Sequence, residues 1–214
     1  MTLGLVSFLS IFIPALFGIF YFNKTESQFR YFTCFLLIMV LVECIGNYLF
    51  YNHKSNLHIF SLSLLIETIT LLLLINYTLN GRALKLIVRL IALLYVGYFL
   101  YRLYYAGFSV QFDSEMRIIS CILLIFASGL SIIQQSTNMK VHILYNPVFI
   151  FSFTLLLYYA ATLFVHGALH IILQKSIQLV AKPIWKAHSA VNILTNFLFA
   201  FAIWLSYRQR KLSL

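Results

Sequence analysis

Residues 57–76 read LHIFSLSLLIETITLLLLIN, a stretch without Lys or Arg that carries one carboxylate, Glu67, near its centre. An apolar run of this length matches the roughly 20 residues a helix needs to cross the hydrocarbon core of a bilayer. Six more such runs, about 3–22, 31–51, 83–104, 116–134, 145–165 and 184–206, take up most of the 214 residues. The chain is 62% hydrophobic and only 9% charged, with a mean hydropathy of +0.94, which excludes a water-soluble domain with an ordinary charged surface. Strand-like alternation is absent, and continuous apolar runs fit helices, whose backbone groups are satisfied internally. The expectation is an all-α polytopic membrane protein, with residues 1–214 forming one seven-helix transmembrane domain.

Basic residues choose the orientation. With the N-terminus outside, Lys24, Arg30, Arg82, Lys85, Arg89, Lys140, Arg208, Arg210 and Lys211 lie inside, and Lys54, Arg102, Arg117, Lys175, Lys182 and Lys186 lie outside. That is nine against six of fifteen, and the positive-inside rule favours N-out, C-in. The first run has no Lys or Arg before it while Lys24 and Arg30 follow it, so it reads as a retained span rather than a signal peptide. Loop charge and the basic tail SYRQRKLSL account for the net charge of +10 without a nucleic-acid partner. The aromatic-rich stretch LLYVGYFLYRLYYAGF at 93–108 suits a headgroup interface. Cys34, Cys44 and Cys121 all fall within spans and read as small apolar core residues rather than a disulfide framework.

Polar residues inside the spans carry the functional signal. An ionisable group in a span costs about 2.5–3.5 kcal/mol on insertion scales, so each one needs a partner or a purpose. Two acids lie within the expected spans, Glu43 in LVECIGNY and Glu67; Asn47 shares a helix face with Glu43. On span 7, His188, Asn192 and Asn196 recur every fourth residue. A rise of about 1.5 Å per residue puts Asn47 and His188 about 6 Å, Glu43 and Asn192 about 12 Å, Glu67 about 15 Å and Asn196 about 18 Å below the outer surface. If spans 2, 3 and 7 are neighbours, these residues form one polar column. Asparagines in spans also serve as hydrogen-bonding glue between helices. A carboxylate is not needed for that, and desolvation favours its neutral form, which suits a proton carrier, a donor to a ligand or a general acid.

Five of the six histidines fall on the outer side: His53, His58, His166, His170 and His188. His166 and His170 have the i, i+4 spacing that lets two imidazoles share a metal ion, and His188 could complete a zinc site. Gly167 between them is a point where the helix can break, and no HExxH arrangement is present. No cofactor is otherwise expected. Segment 168–182 is amphipathic and ends at Lys182-Pro183, with Pro183 starting span 7; it reads as a helix along the outer interface or a continuation of span 6 into the exterior, and as a lid over the column in its functional version.

Two blocks, YNPVFIFSFTLLLYYAATLF at 145–164 and IWKAHSAVNILTNFLF at 184–199, resemble a group of short, largely uncharacterised bacterial seven-helix membrane proteins often encoded beside sensor histidine kinases. The resemblance covers the last third of the chain, with Tyr159, His188, Asn192 and Asn196 as the matching positions. It implies a bacterial inner-membrane location, a sensory or accessory role and a membrane signalling partner such as a histidine kinase. A retinal protein would need a Schiff-base lysine in the middle of span 7, whereas Lys182 and Lys186 sit at its outer end.

The expected function is therefore a receptor-like sensor that binds a small ligand or proton at Glu43, Asn47, Glu67, Tyr159, His188, Asn192 and Asn196. The short basic tail holds no output domain, so the signal would pass to a second protein. The alternatives are a metal-dependent membrane hydrolase using His166, His170 and His188 with Glu43 as acid/base, and a carrier of small solutes or protons through the same column.

Overall fold

The computed structural model describes residues 2–137, 143–174 and 178–212, with the backbone alone at 2, 50, 110–112, 169–174, 178–182 and 212. Every regular element among them is helical: α1 (Thr2–Ser10), α2 (Phe12–Phe20), α3 (Ser27–Tyr51), α4 (Leu57–Thr78), α5 (Arg82–Ala106), α6 (Val110–Thr137), α7 (Pro147–Gln174) and α8 (Gln178–Leu212), with short 3-10 turns at Phe22–Lys24 and Ile143–Tyr145. Seven spans are long and apolar enough to cross a membrane, the first made of α1 and α2 together. Large apolar side chains such as Phe20, Leu94 and Phe164 stand exposed on the outside of the bundle. That surface would drive association in water and is matched in lipid.

Local chemistry explains where the helices begin, bend and end. Pro14 has no N–H to offer the carbonyl of Ser10, and the first span is interrupted at Ile11 while that residue keeps helical dihedrals of −65° and −24°. At the head of α7, the Asn146 side-chain oxygen accepts from the backbone N–H of Val148 (2.9 Å) and Phe149 (3.2 Å), with Pro147 at the first helical position. Helix α5 lies between Gly81 (φ 102°) and Gly107 (φ 61°), backbone conformations open to glycine.

Two expectations need correction. Pro183 does not start the last helix, because α8 already runs from Gln178 and carries Pro183 inside it. Gly167 does not break α7, which continues to Gln174. Within segment 168–182, residues 168–174 continue α7, one of the two courses read from the sequence, and 178–182 begin α8; residues 175–177 and the side chains from 169 to 182, His170 included, lie outside the described residues.

Small and polar residues let the helices approach. Thr68 (α4) and Ser120 (α6) share a hydrogen bond of 2.6 Å, and Ser131 (α6) and Ser152 (α7) one of 2.8 Å. Such contacts are worth about 0.6 kcal/mol on average in a membrane, where close packing does the rest. Gly18 of α2 lies so near α3 that a Cβ there would come within 2.5 Å of the Thr33 side chain. Helix α8 packs against α7, α2 and α1, while α3 packs on α4 and α4 on α6. Spans 2 and 3 are therefore neighbours, whereas span 7 packs chiefly elsewhere. It reaches α3 through Phe199 and Phe32, whose ring centroids are 5.0 Å apart.

Candidate functional site

Between α3, α4, α6, α7 and α8 lies a cavity of about 430 Å³. Each helix contributes one face at three- and four-residue spacing: Phe60, Ser63, Glu67 and Leu71 from α4, Leu155, Tyr159, Thr162 and His166 from α7, and Trp185, His188, Asn192, Asn196 and Phe199 from α8. The lining begins at the bundle end that carries the N-terminus, where Asn56 and Asp113 sit, and reaches mid-span at Asn196 and Leu71. Phe32 and Phe199 close the far side with Phe151, the three rings standing 4.8 to 5.9 Å apart. Below them Leu72, Leu74 and Ile75 of α4 are buried with Leu124 of α6.

The centre of the site is Glu67. One carboxylate oxygen accepts from the Arg117 guanidinium (3.1 Å), the other from the Tyr159 hydroxyl (2.6 Å). Ion pairing and a charged hydrogen bond offset the desolvation of Glu67, whose side chain is only 7% exposed. Arg117 was expected on the outer side as interfacial charge; instead it is turned inward, one helical turn after Asp113. Asp113 accepts a long hydrogen bond from Ser61 (3.4 Å). Arg102, also expected as an outer charge, pairs with Glu115. Glu43 lines the cavity, and no donor among the described residues reaches its carboxylate.

The line of residues on α8 divides into two roles. Asn192 donates to Ser7 Oγ of α1 (2.9 Å) and Asn196 donates to Ser10 Oγ (2.8 Å). Ser10 spends its own proton on the Ser7 carbonyl (2.6 Å), so toward Asn196 it can only accept, and this fixes the orientation of the Asn196 amide. Both asparagines therefore hold span 7 to span 1, and both still border the cavity. His188 sits between the Tyr158 and Trp185 rings, at centroid distances of 6.1 and 5.9 Å, with its buried Nδ1 lacking a protein partner.

Six of the seven residues nominated from sequence, Glu43, Glu67, Tyr159, His188, Asn192 and Asn196, meet in this one cavity. Asn47 does not: its amide donates to the Glu43 carbonyl one turn back in α3 (2.9 Å). Of the proposed metal ligands, His166 and His188 both border the cavity, while the His170 side chain lies outside the described residues. Among the described residues no three His, Cys, Asp or Glu are grouped to hold a metal ion. Sequence reading missed Arg117, Asp113 and Tyr158 as site residues. The available signal was Asp113 and Arg117 at i, i+4, with Arg117 just inside the expected span 116–134 and two span acids still without an assigned partner.

The fold and site define a class: a seven-helix membrane bundle with a polar cavity that reaches from one end to mid-span. Comparison with protein-family models, with curated proteins and with solved structures yields no match.

Proposed function

We propose that this chain is a receptor-like protein of the bacterial inner membrane that binds a small polar ligand in the cavity from the outer side and signals through a partner protein. The observation that carries this reading is the convergence of Glu43, Glu67, Tyr159, His188, Asn192 and Asn196 on a single space of about 430 Å³. That volume falls within the roughly 300–1,000 Å³ typical of small-molecule sites and far exceeds what a proton relay needs. The floor of Phe32, Phe151 and Phe199 rings favours a site that holds a ligand over a pathway that passes one through. The ligand would bridge α8 and the α3–α4 pair, which otherwise meet across the cavity. Movement of α8 would then carry the signal to the end bearing Arg208 and Lys211, where a partner such as a histidine kinase would dock.

The chain has only two tryptophans, and Trp185 borders the cavity while Trp204 does not. In a Trp204→Phe background, Trp185 fluorescence of the detergent-purified protein reports on the site. A panel of amines, amino acids, carboxylates, sugars and phosphates should contain a compound that produces a saturable change. No saturable response to any compound would defeat the reading.

A further inference from the structure

Among the described residues the charges around the cavity do not balance: three carboxyl side chains border it, Glu43, Glu67 and Asp113, against one guanidinium, Arg117. Glu67 consumes that charge through its ion pair, with Tyr159 on its other oxygen. Glu43 is left without a donor and Asp113 with only the 3.4 Å bond from Ser61. Glu43 and Asp113 are half-buried, so a cation entering the cavity would meet two carboxylates partly withdrawn from water, a setting in which a positive partner is favoured.

The neutral groups point the same way. Asn196 is only 5% exposed; one N–H of its amide donates to Ser10, and its Oδ1 remains an acceptor with no protein donor among the described residues. Asn192 repeats the arrangement one turn higher with Ser7. The rings of Tyr158 and Trp185 complete the wall, and aromatic faces attract cations through their quadrupoles. Acceptors set beside aromatic rings suit an organic cation, whose ammonium takes the hydrogen bonds while its body packs on the ring faces.

We propose that the cavity binds a small organic cation, its ammonium group set against Glu43 and its body between Tyr158, Trp185 and the α8 asparagines. The proposal rests on the receptor reading and specifies its ligand class. Arg117 does not repel such a ligand, because Glu67 already neutralises it at 3.1 Å.

The test uses the full chain in detergent with Trp204→Phe, titrated with butylamine, putrescine and choline, and with butanol and butyrate as neutral and anionic controls. At least one of the three cations should give a saturable change in Trp185 fluorescence that neither control reproduces. Glu43→Gln should weaken that binding about tenfold to a hundredfold, as for loss of a charged hydrogen bond, while Glu43→Asp should stay within a few-fold of the parent. Equal responses to butanol or butyrate, or cation binding unaltered by Glu43→Gln, would overturn the proposal. So would silence toward all three cations. A response to some other compound of the wider panel would then leave the receptor reading standing with a different ligand, whereas silence across that panel removes both.

Discussion

Glu67 and Arg117, fifty positions apart on α4 and α6, form an ion pair at 3.1 Å inside the membrane-spanning bundle. The pair joins two helices at the depth where neither charge would be tolerated alone, and Tyr159 ties α7 to the same carboxylate. It therefore organises the cavity wall on three helices at once. Arg117→Leu should destabilise the protein by about 3–5 kcal/mol, because it leaves Glu67 buried and unpaired. Adding Glu67→Gln should recover much of that loss. Reversible unfolding in mixed micelles, measured for both single variants and the double variant, checks the coupling; additive losses would show the pair to be uncoupled.

Tyr159→Phe removes one donor from the Glu67 carboxylate and keeps the ring. A loss of about 1.5–3 kcal/mol is expected, the range for hydrogen bonds to charged groups. The same unfolding assay reads it, and a change below about 0.5 kcal/mol would mean the Tyr159 bond adds little to the ion pair.

The hydrogen bonds from Asn192 and Asn196 to Ser7 and Ser10 should behave as interhelical glue. A double-mutant cycle with Asn196→Ala and Ser10→Ala should give a coupling of about 0.6 kcal/mol, and not above about 1.7. A far larger value would indicate that Asn196 organises more than the α1–α8 contact.

Gly18→Ala should destabilise by about 1–3 kcal/mol, since overpacking forces the backbone or Thr33 to move. The added methyl would stand 2.5 Å from Thr33 Cγ2 and Oγ1. Thr33→Ala in the same chain should relieve part of the loss, and thermal unfolding of the three variants reads both effects.

Glu26 lies just before α3, outside the spans, where it accepts from Gln28 Nε2 at 2.8 Å. Burial pushes its carboxyl pKa above the ordinary glutamate value, more than the Gln28 bond and Arg210 pull it down. The unfolded chain therefore loses this proton first as pH rises, and stability falls through the window above the usual glutamate pKa before levelling off. Glu26→Gln should abolish that fall. Unfolding midpoints of parent and variant measured from acid to neutral pH would reveal it as a difference in slope.

Hydropathy alone located the spans, because a bilayer imposes a length and an apolar composition that any sequence must display. Their ends were less legible. The α7 and α8 helices both extend well past the apolar windows, to Gln174 and back to Gln178, since polar residues can continue a helix beyond the hydrocarbon core. Glu43, Glu67 and the α8 stripe stood out as polar groups against an apolar background, and their depths were computable from helix rise. Arg117 did not stand out, because a basic residue at the edge of a span reads the same whether it points to water or turns inward.

Composition and periodicity thus determined that this chain is a seven-span helical membrane protein, and which of its polar residues are too deep to be solvated. Only the tertiary structure decided who meets whom. Asn192 and Asn196 bond Ser7 and Ser10 of the first span, Asn47 turns back on its own helix, and Glu67 finds Arg117 and Tyr159. Sequence fixes how deep a residue lies because depth follows from counting along one helix. Rotation and adjacency follow from the simultaneous packing of all the helices, and no single segment carries that information.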